Sequence, residues 1–192
     1  MSYLSKSERR NLILQVAKSI ALEEGLSTLT VRNIAKKACL SVGLIHHHYA
    51  SIHELKSEVF IQLAYENLDT STLSEDICWE SRLLDILGFS ENNNELAYIR
   101  LWNEAEQISC SNPEFSKVYW AAIEAWKNKI IEVLKLKKFI NPNENMEDLA
   151  WQFIGITLGF ERLIQFKGEK LCLKYLNFLV LQLIECKISH DK

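Results

Sequence analysis

The stretch Ser41–Leu55, SVGLIHHHYASIHEL, holds four of the chain's five histidines, three of them consecutive. Imidazole side chains can ligate zinc, move protons, or meet a polyanion. Metal binding fits poorly. Successive helical residues are turned by about 100°, so His46, His47 and His48 fan outward, whereas zinc needs ligands that converge, as histidines at i and i+4 do. His46 and His53 would share a face only if one helix ran through both, and the Ala50-Ser51 break opposes that. No metal or cofactor is expected. Serines, histidines and acids are plentiful, yet none forms a nucleophile elbow or another recognisable catalytic set, so no enzyme is expected either. A third chemistry fits better: a short helix that shows polar side chains to bases and phosphates while Leu44 and Ile45 anchor it below. Gly43, lacking a side chain, would let the backbone come close to a partner. The plain alternative is a short surface helix of a helical bundle.

The elements that must position this segment are legible. Residues 7–24 carry Ile13, Val16, Ala17, Ile20 and Ala21 at helical spacing, and Gly25 stands where a helix stops. Thr30 can cap VRNIAKKA, whose Ile34, Ala35 and Ala38 share a face. After a break at Cys39–Ser41, Ser41 can cap VGLIHHHY. Ser51 can cap IHELKSEVFIQLAYENL, which buries Leu55, Val59, Phe60 and Leu63. A tight turn between the second and third helices makes a helix-turn-helix unit. Beyond residue 70, polar breaks at Thr70–Ser74, Gly88–Asn94, Ser111–Pro113, Asn141–Asn145 and near Gly168 separate long segments with helical periodicity. Pro113 stands at a first helical position with Glu114 beside it. The expected class is all-α.

Composition sets the outer limits. The chain has 192 residues, 48% hydrophobic and 24% charged, with two prolines and six glycines, enough apolar material for a real core. No run of 18 apolar residues suggests a membrane span, and MSYLSKSERRNLIL lacks a signal-peptide core, so a cytoplasmic protein is expected. Five scattered cysteines without a CxxC pair are read as free, mostly buried thiols. The net charge of −3 conceals an asymmetry. Residues 1–56 hold eight Lys/Arg against four Glu, leaving seven net negative charges for the remainder. A basic head on an acidic body suits a head that meets a polyanion.

The run TVRNIAKKACLSVGLIHHHYASIHEL, residues 30–55, resembles the DNA-binding signature of TetR-family transcriptional regulators. Thr30, Ile34-Ala35, Ala38, Ser41, Gly43, Ile45, His47, Tyr49, Ser51 and Glu54-Leu55 carry the match, and Gly25 lies at the family's spacing. The resemblance implies a three-helix DNA-binding domain over residues 1–52. It also implies a larger helical ligand-binding and dimerisation domain over 53–192. It places Thr30 on a phosphate, Arg32 at a base, Val42, Gly43 and Leu44 near bases, and His46 and His48 at the groove edge or phosphates. Ser41, His47 and Tyr49 complete the DNA-binding set. Three positions depart from the pattern. Cys39 stands where a turn glycine is common, His48 replaces a tyrosine, and Ile52 replaces a phosphate-binding lysine at the start of the fourth helix. The helix N-terminal amides, with His53, are then left to serve that phosphate.

In the body, AYIRLWNEAEQISCSNPEFSKVYWAAIEAWKNKIIEVL and WQFIGITLGFERLIQF loosely resemble a BetI-type C-terminal domain, which implies a small-molecule effector of unknown identity. All five tryptophans fall in residues 79–151. Most of these aromatics are core material. Tyr98, Trp102, Phe115, Tyr119, Trp120, Trp151 and Phe160 are the candidates to line an effector cavity, with Glu104 and Glu161 as acids for a cationic ligand. Residues 149–166, with Gly155 and Gly159 four apart, and the nearly all-apolar 171–184 are the expected homodimer surface. The expected function is a repressor released from a pseudo-palindromic double-stranded operator by its effector. The alternatives are a helical ligand sensor or partner-binding protein with degenerate DNA binding, and an enzyme, which would need convergent acid–base groups in the aromatic cavity.

Overall fold

Helix α1, Lys6–Glu24, begins at a complete capping box: Ser5 Oγ accepts the Glu8 amide at 3.2 Å and the Glu8 carboxylate accepts the Ser5 amide at 2.6 Å. Its buried stripe is Ile13, Leu14, Ala17, Ile20 and Ala21; Leu14 is buried and Val16 only half-buried, a small rotation of the expected face. Gly25 ends the helix at φ 106°, which a side chain would make strained. One 3₁₀ turn, Leu26–Thr28, leads to α2, Val31–Ala38, capped by Thr30. Helix α3, Val42–His48, is capped by Ser41, and α4, Ile52–Leu68, receives the Ser51 hydroxyl on its Glu54 amide. All three caps fall where the sequence places them. The computed structural model describes residues 5–69, 78–88, 95–136, 145–167, 175 and 178–183. The expected breaks at 70–74, 89–94 and 141–144, and most of the helix expected over 171–184, lie outside the described residues, as do Cys172 and Cys186.

The remaining helices are α5 (Trp79–Ile86), α6 (Glu95–Ser111), α7 (Pro113–Lys135) and α8 (Met146–Lys167). Pro113 opens α7, and Asn112 Oδ1 accepts the amides of Glu114 and Phe115, each at 3.1 Å. No strand occurs among the described residues, and no helix there is long and apolar enough to cross a membrane. The architecture is all-α.

The chain packs as two compact units. Residues 1–66 with 96–122 make the first, and 67–95 with 123–192 the second. Phe60 of α4 packs edge-on against Trp102 of α6 at 5.2 Å between centroids and lies 5.6 Å from Phe115 of α7. Burying these three large rings welds α6 and the start of α7 to the helix-turn-helix. In the second unit the Trp126 indole donates to the Ile86 carbonyl at 3.0 Å inside a core of Leu83, Ile123, Ile130, Leu149, Phe153 and Ile154.

Candidate nucleic-acid interface

Helix α2 ends in a Schellman-type turn: the Leu40 amide reaches the Ala35 carbonyl at 2.9 Å and the Cys39 amide the Lys36 carbonyl at 3.4 Å. That geometry puts Cys39 in the left-handed region at φ 55°, ψ 39°. The departure from the family's glycine thus carries a strain on the order of 1 kcal/mol. Cys39, Cys78 and Cys110 are exposed, contrary to the expectation of mostly buried thiols; each occupies an element end or a polar helix face.

Helix α3 is held from below by Ile45, 1% exposed. Leu44, expected as a second buried anchor, is only half-buried: it lies about 100° round the helix from Ile45, at the edge of the buried side. Val42, Gly43, His46 and His47 are exposed, as are Thr30, Arg32 and Ser41. Thr30 Oγ1 and Ser41 Oγ accept the Asn33 and Leu44 amides, so each hydroxyl keeps its proton for another acceptor. A Cβ built on Gly43 meets nothing within 4 Å. The fold itself does not require glycine there.

Tyr49 corrects the sequence reading. It is 2% exposed and its hydroxyl is enclosed, so it supports α3 rather than facing a partner. Burial, and then the nearby Glu58 carboxylate, push its pKa up to about 12; the two groups lie close but not in hydrogen-bonding geometry. Arg10 of α1 organises this corner. Its guanidinium donates to the His48 carbonyl at 2.8 Å, pairs with Glu58 at 2.5 Å, and stacks 4.3 Å over the Tyr49 ring. The partners lie 38 and 48 residues away along the chain, and no local pattern announces them. His48 is half-buried, and partial burial, with Lys6, Arg10, Arg9 and His47 around it, holds its pKa below the usual imidazole value.

The start of α4 carries no lysine. Ile52 is half-buried, and His53 lies 3.4 Å from the Asn112 amide nitrogen. The Glu54 carboxylate accepts the Ala50 amide at 2.7 Å, which brings negative charge to this helix end. Lys56 turns inward to the Ser27 carbonyl at 3.2 Å. Burial lowers its pKa, and the Glu104 carboxylate works against that shift.

Two polar contacts bind α6 to the head. Arg100 donates to the Leu22 carbonyl at 2.6 Å, and Glu104 accepts the Ser27 amide at 2.7 Å. A Cβ on Gly25 would stand 2.6 Å from a Glu104 oxygen, so the absence of a side chain there makes room for this carboxylate. Glu104 is thereby committed to the turn after α1, and sequence reasoning missed this use of it.

The seven cavity candidates fall in both units. Tyr98, Trp102, Phe115, Tyr119 and Trp120 belong to the first unit, Trp151 and Phe160 to the second. Trp102 and Phe115 are buried against Phe60, and Tyr119 stacks on Phe60 at 5.9 Å. Tyr98 and Phe160 are half-buried, whereas Trp120 is 56% exposed. The Trp151 ring already faces a cation, Lys127, at 5.3 Å. Among the described residues, no three His, Cys, Asp or Glu side chains converge so as to hold a metal ion.

The capped helix pair α2–α3, with α1 and α4 closing its core, defines a helix-turn-helix protein. Residues 13–72 match the family model of bacterial regulatory proteins, tetR family. By that head, the chain is similar to the TetR family. The HTH-type transcriptional repressor KstR2 of Mycobacterium tuberculosis, in two strains, is 28% identical over 120 residues, which span 58% of this chain and 58% of the repressor's length. A TetR-family regulator of Cytophaga hutchinsonii superposes with a TM-score of 0.77 at 16% identity, covering 99% of this chain and all of that one. A transcriptional regulator of Saccharomonospora viridis, solved with choline, gives 0.72 at 18% identity over 96% of this chain and 97% of its own. At such identities these structures share the fold.

Proposed function

We propose that this protein is a homodimeric, cytoplasmic DNA-binding transcriptional regulator without enzymatic activity, and that it represses until a small-molecule effector releases it. The observation that carries the reading is the exposed face of Thr30, Arg32, Ser41, Val42, Gly43, His46 and His47 on two capped helices with a buried underside. Half-buried Leu44 and His48 flank that face, and Tyr49 supports it from beneath. Such a face fits the major groove, where α3 would present its N-terminal residues to base edges.

The dimer surface is assigned to the last two helices. Gly155 and Gly159 are exposed with open space around them, and Leu163, Tyr175, Phe178 and Leu181 are exposed apolar or aromatic groups in the same unit. A second copy of this chain covering them would place two α3 helices about 34–36 Å apart on a pseudo-palindromic site.

The effector enters through the aromatic body. Choline in one structural neighbour suits the idea of a cationic ligand, and Glu161 on α8 is a buried acid, 7% exposed, in the second unit. Release would run through α6. A shift of α6 pulls Arg100 and Glu104 on the end of α1, and Arg10 of that helix holds the end of α3.

The test is selection of bound fragments from the source genome, followed by footprinting. Two protected half-sites one turn apart are expected. Recovery of no site even at low salt would favour a helical sensor with degenerate DNA binding, the reading that Ile52 supports.

A further inference from the structure

Four histidines lie in the head, and the structure treats them in two ways. His48 is half-buried on α3. Burial first, and then the charges of Lys6, Arg10, Arg9 and His47, hold its imidazole below the usual pKa, so this ring resists a proton. His53 is tied by a hydrogen bond. Asn112 Oδ1 already accepts the amides of Glu114 and Phe115, so the Asn112 nitrogen is the atom that meets the ring. It donates to His53 Nδ1 at 3.4 Å, and that nitrogen is therefore an acceptor. His46 and His47 are different. Both are exposed, and among the described residues no hydrogen bond or ion pair engages either ring.

These two rings sit on the face that the proposed reading turns toward DNA. A duplex carries one negative charge for about every 1.7 Å of its axis, and that field attracts protons as it attracts any cation. An imidazole brought against phosphates is drawn toward its charged form. The elements packed around α3 bring other charges. Helix α1 carries Lys6, Arg9 and Arg10, and α2 carries Arg32, Lys36 and Lys37. On α4, Glu54 accepts the Ala50 amide and Glu58 pairs with Arg10. Carboxylates, lysines and arginines ordinarily keep one charge across the range near neutrality, whereas imidazole changes its charge there.

We propose that operator binding is linked to protons: His46 and His47 each take one up as α3 enters the groove, so affinity rises as pH falls. This rests on the DNA-binding reading and adds a mode of regulation to it. The sign follows from linkage. The complex holds more protons than the free chain and duplex, so acid favours binding and alkali opposes it. A tenfold gain in proton affinity at one ordinary imidazole is worth about sixfold in DNA affinity between about pH 8 and about pH 6. Acidification thus tightens the grip of the head on its operator.

The experiment is fluorescence anisotropy with the full chain, on the operator recovered by selection and on a random duplex. Ionic strength is held constant while pH runs from about 8 to about 6. Wild type should bind the operator at least about tenfold more tightly at the acid end. His46→Gln/His47→Gln should flatten the profile, whereas His48→Gln and His53→Gln should each keep its slope. Calorimetric titration of wild type in two buffers of different ionisation enthalpy should show uptake of about one proton per head near pH 7. A flat profile, or no proton uptake, in a chain that binds the operator overturns the proposal while DNA binding stands. A slope that survives in His46→Gln/His47→Gln, or that vanishes in His48→Gln or His53→Gln, also overturns it. If wild type binds neither duplex at any pH in the series, the DNA-binding reading falls and this proposal falls with it.

Discussion

Gly43→Ala sets stability against binding. Gly43 is the second residue of α3, exposed, with helical backbone and no protein atom within 4 Å of an added Cβ. Alanine should therefore enter without a clash. In a helix interior it would be favoured over glycine by about 1 kcal/mol, and at this early position by about half that. The unfolded chain also loses freedom, which acts in the same direction. The variant should be more stable to urea by about 0.5 kcal/mol, with an unchanged denaturant slope. Binding should move the other way. If glycine stands here because a base edge comes against the backbone, the methyl forces α3 outward. Operator affinity should then drop by tenfold or more, about 1.4 kcal/mol. Urea denaturation and anisotropy on the same preparation decide it. A more stable protein that binds as tightly as wild type would refute the close approach at Gly43. A less stable one would refute the open surroundings of the added methyl.

Cys39→Gly should stabilise the chain by about 0.5–1 kcal/mol, since it removes left-handed strain of about 1–2 kcal/mol and returns some unfolded-state entropy; Cys39→Ala, which keeps the strain, should change little in the same melts. Arg10→Ala removes charge-assisted bonds to His48 and Glu58, partly exposed ones, and should cost about 1–2 kcal/mol, with the α3 amides losing hydrogen-exchange protection before those of α6. Gly25→Ala should destabilise the chain because φ 106° disfavours a side chain and the new methyl meets Glu104; pairing it with Glu104→Ala should recover the steric part but not the strain. The lowered pKa of His48 gives a signed pH effect. The unfolded imidazole titrates near pH 6.5 and the folded one below it, so stability falls as pH drops through that window and levels off beneath the folded pKa. His48→Gln should remove this step from a series of melts, and an unaltered step would place its origin elsewhere.

The head was largely legible in the chain. Caps are local chemistry, and Ser and Thr side chains at 30, 41 and 51 find amides three residues ahead wherever the chain turns helical. The αL demand on Cys39 is likewise local. It follows from a short helix that must turn within three residues before Ser41. Burial was legible where periodicity was strong, as at Leu55, Val59, Phe60 and Leu63, and less so in α3, whose seven residues are too few to define a face. The ligand-facing rings of the body were read from composition and a loose resemblance, and neither says which ring faces which.

What the sequence determined by itself is the all-α architecture and the placement of the helix-turn-helix, because caps, breaks and apolar spacing act over a few residues. What only the tertiary structure decided is how that face is held and extended. Tyr49 turned inward under α3, Arg10 joined three helices, Glu104 filled the space above Gly25, and Phe60 drew α6 and α7 into the head. Each of these joins residues about 40 to 80 positions apart, or depends on a burial that only packing sets. Their energies come from desolvation and geometry in the assembled core, which no local pattern encodes.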